Sequence, residues 1–311
     1  MLLCCGEALI DMIPTPTTNN QMGFVPHSGG AIFNTAIALG RLGVSAGMLT
    51  GMSSDMFGQQ LTADLQASKV DTSLLITSDR PTTLAFVKLV GGHASYSFFD
   101  ENSAGRMLDT SDLPSLPESV SAMYFGGISL ACEPGADSYA ALLENAAPSR
   151  VVMLDPNIRA SFITAPVIYR KRLDRMIAHA DIIKVSDEDL EWIYPDVGSL
   201  EDKVARLRAA GPSLVVLTRG SEGAVGFFGA AGQRVDVPVR RVEVADTVGA
   251  GDTFNAGVLA RLSQLGLLNK SALAEITPEA VRDALEYGAK VAAITVSRAG
   301  ANPPWKHEIA D

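Results

Sequence analysis

The 311-residue sequence has few cysteines, no long apolar run and no cluster of basic residues. Cys4 and Cys5 are neighbours in an apolar opening strand, so their side chains point to opposite faces, and together with Cys132 they are interpreted as buried small hydrophobes. No segment reaches the ~18 continuous apolar residues that span a membrane, and the N-terminus lacks the pattern of a signal peptide. These absences predict a cytoplasmic protein that does not bind membranes.

Positive charge is scarce too. The chain has 25 Lys and Arg residues against 35 Asp and Glu residues, which gives a formal net charge of −10. A polyanion would be repelled on average, which argues against nucleic acid as a partner. A nucleotide substrate is compatible with this charge, because backbone N–H groups and a few cations can bind phosphate within an acidic protein.

Several common catalytic motifs are missing as well. The sequence contains neither the Gly-Lys pair of a Walker A loop nor the G-x-S-x-G of α/β-hydrolases, and its four histidines are scattered without metal-ligand spacing. A dinucleotide-binding fingerprint is excluded near residue 250, because Phe254 takes the place of the third glycine and the motif lies near the C-terminus. The chemistry must therefore depend on other residues.

What the sequence does have is the alternation of strands and helices that is typical of α/β proteins. Hydrophobic residues make up 47% of the chain and charged residues 19%, as in globular proteins. Short apolar strands are predicted at residues 122–125, 151–154, 182–185 and 214–217, and most precede a helical stretch. This order predicts a three-layer α/β/α fold with a mostly parallel central sheet.

The remaining segments complete a single predicted domain over residues 1–311. Apolar runs predict strands over residues 1–12 and 48–51, and helical spacing predicts helices over residues 31–42, 57–68, 254–268 and 278–296. Strands 83–90 and 94–99 are joined by two glycines, a hairpin signal. The Thr-, Pro- and Asn-rich residues 13–26 are expected to be a loop or flap. Residues of about 10–27 and 82–108 would then form a small β lid.

The most informative segment is DTVGAGDTFNAG, residues 246–257. Gly249, Ala250 and Gly251 run directly into a predicted helix, so their N–H groups and the helix dipole would converge on one point and bind an anion. Asp252 lies at the mouth of this turn and could accept a proton from an attacking hydroxyl, an effect typically worth ~10²–10⁴ in rate. Taken alone, Asp252 could also be a simple helix cap.

Polar residues elsewhere follow predicted strands or interrupt apolar runs. Asp11 ends the opening strand, and Arg159 follows strand 151–154, although a solvated carboxylate and a surface salt bridge are alternatives. Asn34 lies in an otherwise apolar helix, where its side chain needs a partner. Lys184 interrupts strand 182–185, which is costly for solubility alone. These four residues are candidate ligands for a substrate.

Other candidates stay ambiguous at this level. Gly29 and Gly30 could be only a turn before a helix. Phe98 and Tyr96 on the predicted lid could stack on a sugar or pack in a core. Arg106 is equally undecided between a surface role and a ligand.

Together these motifs resemble a known family. DTVGAGDTFNAG resembles the C-terminal signature of the ribokinase-like (phosphofructokinase-B type) sugar kinases, and SGGAIFNTA at residues 28–36 resembles their N-terminal substrate signature. The resemblance runs from GEALID at residues 6–11 to ANPPW near the C-terminus. GEALID, DPNIR at residues 155–159 and ENSAGRM at residues 101–107 look most like fructokinases. The family has a ribokinase-like α/β/α fold with a β-sheet lid.

The resemblance implies a role for each matching residue. Asp252 would be the base, and the N–H groups of Ala250, Gly251 and Asp252, with Gly249 forming the turn, would be the anion hole. The substrate would contact Asp11, Gly29, Gly30, Asn34, Phe98, Arg106 and Arg159. The nucleotide would contact Lys184, Ser186, Thr218, Gly220, Gly223 and Gly251, the TRGSEG loop at residues 218–223 matching T-x-G-x-x-G. A monovalent cation would be held by Asp246, Val248, Thr295, Arg298 and Gly300.

Two departures from the family pattern concern the metals. Relatives often carry an Asn-x-x-Glu string that organises Mg²⁺ through water, whereas the aligned residues 186–189 read SDED. Mg²⁺ is expected, but its organising residues cannot be named. Pro304 falls where some relatives offer a serine to the monovalent cation, so that shell would have one ligand fewer.

The resemblance therefore implies an ATP-dependent kinase that uses Mg²⁺ and K⁺, with a small sugar and ATP as its partners and a homodimer formed through the lid. D-Fructose, giving fructose 6-phosphate, is the first choice of substrate; 2-keto-3-deoxygluconate and a riboside are the alternatives. A catalytically silent sugar sensor is a different class, but a sensor needs neither the base nor the anion hole.

Overall fold

The computed structural model describes residues 1–90 and 93–309. The strands are β1 Leu2–Cys5, β2 Leu9–Pro16, β3 Met22–Gly29, β4 Ala46–Leu49, β5 Gly51–Ser53, β6 Ile76–Ser78, β7 Leu84–Val90, β8 His93–Phe99, β9 Ala122–Gly126, β10 Val151–Asp155, β11 Ile182–Ser186, β12 Leu214–Thr218, β13 Ala224–Phe228 and β14 Gln233–Val237. The α-helices are α1 Ala31–Arg41, α2 Met56–Ala67, α3 Gly135–Ala146, α4 Pro166–His179, α5 Asp187–Ile193, α6 Leu200–Ala209, α7 Ala250–Gln264, α8 Lys270–Ala274 and α9 Pro278–Val296.

The main sheet has eight strands in the order β14-β13-β12-β11-β10-β9-β1-β4. Its strand pairs are parallel except where β13 meets β12 and β14. The strands β9 to β12 correspond to the four short apolar runs, and their residues are almost all buried because helices cover both faces. The predicted mostly parallel sheet is confirmed.

Two hydrophobic cores flank this sheet and complete the three layers. One core joins the sheet to α1, α2, α7 and α9, and the other joins it to α3, α4, α5 and α6. Cys4 belongs to the first core and Cys5 to the second, as expected for successive residues of a strand. Both thiols are fully buried, and so is most of Cys132. No helix in the described part of the chain is long and apolar enough to cross a membrane.

A second, small sheet has the strand order β3-β2-β7-β8. On its strand β7, the half-buried Phe86 ring meets the Phe24 ring edge-on at 5.0 Å and the Phe99 ring at 5.4 Å between centroids. Strands β7 and β8 pair antiparallel as the hairpin signal predicts, although the glycines at 91 and 92 lie outside the described residues. Most residues of the predicted lid belong to this sheet; that it opens and closes stays a prediction.

The first 29 residues differ from the sequence prediction. Residues 1–12 were expected to form one strand, but β1 joins the main sheet and β2 the small sheet, so the chain breaks at residues 6–8. Most of the expected loop or flap at residues 13–26 is the antiparallel pair β2 and β3. Its prolines are tolerated because β2 pairs with β7 only over residues 10–12, which leaves Pro14 and Pro16 without a second neighbouring strand, and Pro26 lies on the edge strand β3.

Helices α7 and α9 pack closely because glycines face each other. A Cβ atom added at Gly257 would lie 2.7 Å from the Cα atom of Gly288 and 3.2 Å from the carbonyl oxygen of Tyr287. Helix α7 begins at Ala250, earlier than the predicted residue 254, whereas α9 has its predicted bounds. This close packing fixes α7 against the rest of the fold.

We expect Gly257→Ala to destabilise the protein. The new methyl group would meet backbone atoms that cannot move aside, and such overpacking typically costs about 1–3 kcal/mol in the free energy of unfolding. Gly198→Ala is the matched control, since nothing lies within 4 Å of a Cβ at that position. Thermal unfolding of both variants checks this; equal melting temperatures would contradict the close helix contact.

Candidate active site

A cavity of about 610 Å³ opens at the carboxyl edge of the main sheet. It lies where β1, β9, β10 and β11 end and where α1 and α7 begin, the edge at which parallel sheets collect their ligands. Its lining residues are Glu7, Leu9, Asp11, Gly30, Ala31, Asn34, Tyr96, Phe98, Gly127, Ile128, Asp155, Asn157, Arg159, Ser161, Phe162, Lys184, Thr247, Val248, Gly249, Ala250, Gly251 and Asp252. Both glycine motifs therefore contribute to one cavity.

The turn into α7 has the geometry of an anion-binding loop. Gly249 is the N-cap of the helix with φ +76°, a conformation that favours glycine, and a Cβ atom there would lie 2.7 Å from that of Ala301. The N–H of Ala250 donates to the Thr247 carbonyl at 3.3 Å. In the described chain the N–H groups of Gly251 and Asp252 donate to no acceptor, so these two, rather than all three predicted donors, are available to an anion in this conformation.

Asp252 points to α1 rather than capping its own helix. Its Oδ2 atom accepts a hydrogen bond from the Asn34 side-chain amide at 2.9 Å, and its backbone carbonyl accepts one from the Thr35 hydroxyl at 3.1 Å. Burial raises the pKa of Asp252 to about 7, and the negative charges of Asp155 and Glu7 act in the same direction. A carboxylate with such a pKa suits a general base near neutral pH. Asn34 uses its amide nitrogen in this bond, which leaves its carbonyl oxygen for a ligand.

Lys184 and Asp155 form a buried ion pair beneath the anion-binding loop. The Lys184 ammonium donates to Asp155 at 3.1 Å, and the Asn255 amide donates to the same carboxylate oxygen at 2.7 Å and to the Tyr124 hydroxyl at 2.9 Å. Burial alone would lower the pKa of Lys184, but the charges of Asp155 and Asp189 raise it overall. The ammonium is therefore charged. It lies near the loop, because a Cβ atom at Gly251 would be 3.8 Å from it.

The opposite end of the cavity combines one carboxylate with aromatic rings. Burial raises the pKa of Asp11 to about 6, and no residue in the described ranges donates a hydrogen bond to its side chain. Phe98 on β8 meets Phe162 edge-on with 4.1 Å between ring centroids, and Tyr96 stacks on Phe98 at 5.8 Å. An unpartnered carboxylate beside aromatic faces can bind a polyhydroxylated ring. Arg159 lines the same end of the cavity and is exposed.

Other predicted site residues lie outside the cavity lining. Arg106 pairs with Asp100 at 2.9 Å and donates to the Glu133 carbonyl at 3.1 Å, so it ties the end of the small sheet to the main body. Ser186 caps α5 by accepting from the Asp189 N–H. Gly29, at the end of β3, borders the cavity only by packing on Asp11, whose Oδ2 atom would be 2.3 Å from a Cβ at that position.

The predicted nucleotide loop is next to the cavity but does not line it. Thr218 ends β12, which pairs with β11 beside Lys184, and its hydroxyl donates to the Val185 carbonyl at 3.4 Å. Gly220 and Gly223 form the following turn with φ +49° and +96°. The loop therefore shares the carboxyl edge of the sheet with the cavity, as a second half of one groove requires.

The predicted monovalent-cation residues do come together. Asp246 accepts from the N–H of Val248 at 3.0 Å and from the N–H of Gly300 at 2.9 Å, which joins the segment before α7 to the segment after α9. The carbonyls of Thr295 and Gly300 already accept backbone hydrogen bonds, each with one lone pair left. Within the described ranges the carbonyls of Val248 and Arg298 accept none. An oxygen-only set of this kind fits a potassium ion.

Sequence reasoning missed several residues of the cavity lining, four of which contribute a charge, an unusual backbone conformation or an aromatic contact. Glu7 lies two residues after β1, and Asp155 is the last residue of β10. Both are buried carboxylates at a strand end, the same signal that pointed to Asp11. Asn157 has φ +43°, unusual for a residue other than glycine, and such conformations concentrate at functional sites. Phe162 has no local signal, because its role depends on Phe98 from a distant strand.

Known proteins resemble this chain over nearly its whole length. The pfkB family carbohydrate kinase model matches residues 1–308. The fructokinase of Rhizobium leguminosarum bv. trifolii is 50% identical over 283 residues, which cover 91% of this chain and 86% of that protein.

Solved structures of carbohydrate kinases resemble this chain as well. A fructokinase with bound ATP from Xylella fastidiosa superposes with a TM-score of 0.87 at 27% identity, covering 96% of this chain and 93% of that one. A double mutant of the fructokinase from Vibrio cholerae O395, bound to fructose, ADP and a potassium ion, superposes with a TM-score of 0.83 at 26% identity, covering 96% and 93%. These likenesses confirm the predicted ribokinase-like fold. The chain therefore belongs to the pfkB family of carbohydrate kinases.

Proposed function

We propose that this protein is a fructokinase that transfers the γ-phosphoryl group of ATP to a primary hydroxyl of D-fructose. The observation that carries the proposal is the position of Asp252, a carboxylate with a pKa of about 7 beside the free N–H groups at the start of α7. A base and an anion site so arranged serve phosphoryl transfer to a hydroxyl. They would have no use in a silent sugar sensor.

Fructose as the acceptor is supported by the relatives. The 50% identical Rhizobium protein is a fructokinase, and the superposed Vibrio enzyme has fructose bound. The aromatic end of the cavity, with Asp11 as its acceptor of hydroxyl hydrogen bonds, suits a single sugar ring. A kinase for 2-keto-3-deoxygluconate or for a riboside would use the same base and anion site, so substrate trials must decide between them.

ATP would occupy the other half of the groove. Lys184 supplies a fixed positive charge beside the anion-binding loop. The loop with Thr218, Gly220 and Gly223 lies on the same side at the end of β12. The Xylella relative has ATP bound. Mg²⁺ bound with ATP would supply positive charge that offsets the charge of the phosphates during transfer, and it takes oxygen ligands directly or through water.

The chain's own residues then account for the transfer. Asp252 takes the proton of the primary hydroxyl as its oxygen bonds to the γ-phosphorus, the bond to the bridging oxygen of ADP breaks, and the proton stays on Asp252 until product leaves. The N–H groups of Gly251 and Asp252 stabilise charge on the transferred group, and Lys184 adds to that field. Asn34 holds the base in place.

The small sheet is proposed to act as a lid and as a dimer surface. Phe98 reaches across the cavity to Phe162, and this contact would exclude water that could otherwise accept the phosphoryl group. Apolar side chains of the sheet are exposed, notably Met22 at 66% and Phe99 at 57%. An apolar patch of this kind favours association with a second copy, which supports the expected homodimer. A cytoplasmic location stays a prediction.

We expect Asp252→Asn to reduce kcat by about 10² or more, because the amide keeps the size of the carboxylate but cannot accept the proton. Sugar affinity should change far less. ADP release with saturating substrates measures the loss. Asp196→Asn is the matched control: Asp196 is exposed and does not line the cavity, so activity should be retained. Turnover of Asp252→Asn near that of the wild type would remove Asp252 from the mechanism.

Potassium should stimulate the enzyme through the loop at Asp246. A cation bound by carbonyls on both sides would fix the start of α7 and so align the free N–H groups with the phosphate. The measurement compares initial rates in K⁺ and in a bulky organic cation at matched ionic strength, with Mg²⁺ and ATP constant. Equal rates would show that the site is not functional.

Specificity should depend on Asp11. Asp11→Ala removes an acceptor for sugar hydroxyls, and a lost hydrogen bond in such a site costs ~1–3 kcal/mol, so kcat/KM for fructose should fall by about 10- to 100-fold. The KM for ATP should change little, because the nucleotide binds in the other half of the groove.

A panel of sugars tested with the wild type checks the substrate itself. If Asp11→Ala raises the KM for ATP and spares the sugar, the two halves of the groove are assigned the wrong way round. If the wild type phosphorylates 2-keto-3-deoxygluconate but not fructose, the family assignment stands and the proposed substrate is wrong.

A further inference from the structure

Glu7 is a buried carboxylate to which the mechanism above assigns no step. It lines the cavity, yet only 8% of the residue is exposed. In the described part of the chain no Lys, Arg or His forms an ion pair with it. Its partners are the backbone N–H of Ala31, 3.1 Å from Oε1, and the backbone N–H of Ser129, 3.2 Å from Oε2. A buried carboxylate without a cation is costly, so its retention calls for a function.

The surrounding backbone is shaped to hold this carboxylate. Gly127 has φ +69°, and a Cβ atom there would lie 2.1 Å from Oε1 of Glu7. Gly30 has φ +104°, and a Cβ atom there would lie 3.0 Å from the carbonyl oxygen of Glu7. Larger residues at these positions would clash with Glu7. Glu7 therefore joins the start of α1 to the turn that follows β9.

The start of α1 leads directly to the base. Ala31 is the first residue of α1, and Asn34, one turn later, donates the hydrogen bond that holds Asp252. The hydroxyl of Thr35, the next residue, shares its proton between the carbonyl of Ala31 at 2.9 Å and the backbone carbonyl of Asp252 at 3.1 Å. A displacement of the first turn of α1 would move both donors, so the bond from Glu7 to Ala31 supports the position of Asp252 through that turn.

Charge provides a second connection between the two carboxylates. The charged groups that act on Asp252 come from three other elements: Asp155 on β10 and Glu7 after β1 raise its pKa, and Lys184 on β11 lowers it. Three hydroxyl and thiol groups also face these carboxylates, Tyr124, Tyr139 and Cys132, and burial raises the pKa of each. They stay neutral near neutral pH. Burial also raises the pKa of Glu7 and the pKa of Asp155, so the carboxylates are the titrating groups.

We propose that Glu7 is a positioning residue for phosphoryl transfer: its carboxylate fixes the first turn of α1, which carries the Asn34 donor to Asp252, against the turn after β9. The proposal rests on the proposed function only through the role of Asp252. It concerns neither the identity of the sugar nor the binding of ATP, since Glu7 donates no hydrogen bond and offers its oxygens to the backbone.

The substitution Glu7→Gln keeps the size of the side chain and removes its negative charge. The wild-type kcat/KM should fall below a pH of about 7, where Asp252 becomes protonated. Removing a nearby negative charge favours the ionised form of Asp252. The acidic limb of the pH profile of kcat/KM should therefore move to lower pH in the variant, by about 0.5 pH unit or more. At pH 8 the variant should lose about 10-fold in kcat/KM, because an amide NH₂ group replaces one acceptor.

Glu7→Asp is the matched variant that keeps the charge but shortens the side chain. It should reduce kcat as well, since one carboxylate can no longer reach both N–H groups, yet its acidic limb should stay closer to that of the wild type. Thermal unfolding confirms that both variants are folded. A folded Glu7→Gln variant whose limb does not move would overturn the proposal, whatever its rate.

A direct titration keeps this test independent of the substrate. Carbon-13 NMR of protein with labelled aspartate, with Asp252→Asn to assign the signal, gives the pKa of Asp252 without turnover. It should be lower in Glu7→Gln than in the wild type. If fructose is not phosphorylated, the proposed function fails while this comparison still decides the role of Glu7; an unchanged Asp252 pKa rejects that role even in an active fructokinase.

Discussion

The hydrogen bond from Asn34 to Asp252 joins residues that are 218 positions apart, and the arrangement of the cavity depends on it. It holds the first turns of α1 and α7 side by side at the carboxyl edge of the main sheet. The chain can turn sharply into both helices because Gly30 and Gly249 adopt φ values of +104° and +76°. The two glycine motifs, remote in sequence, are thus parts of one contact that positions the base beside the anion-binding N–H groups.

The position of Asp252 has an electrostatic cost, which the hydrogen bond from Asn34 only partly offsets. Burial raises the pKa of Asp252 from 3.8 to about 7. A carboxyl group with a raised pKa contributes stability that is complete below pH 3.8 and is lost as the pH rises to about 7. At neutral pH the ionised Asp252 carboxylate therefore lowers the free energy of unfolding. Burial in the two hydrophobic cores must compensate for this loss. The same cost produces a carboxylate that can accept a proton near neutral pH.

Much of this could be predicted from the sequence, where the signal is local. The apolar runs that became β9 to β12 are buried on both faces, so their composition alone identified them. The glycines before Asp252 indicated the anion-binding turn. Residues 13–26 were misjudged, because threonine, proline and asparagine favour loops, whereas a strand that pairs on only one side tolerates proline. Pairing partners are a property of the fold, and a local pattern does not contain them.

The same distinction applies to single residues of the site. Arg106 follows a segment that resembles fructokinases, yet the structure uses it to bind Asp100 and the Glu133 carbonyl at the base of the small sheet. Phe162 carries no motif, yet it meets Phe98 across the cavity. A residue that acts through its own chemistry, such as Asp252, can be found from its neighbours in sequence. A residue that acts through a contact between two sheets can be found only once both sheets are in place.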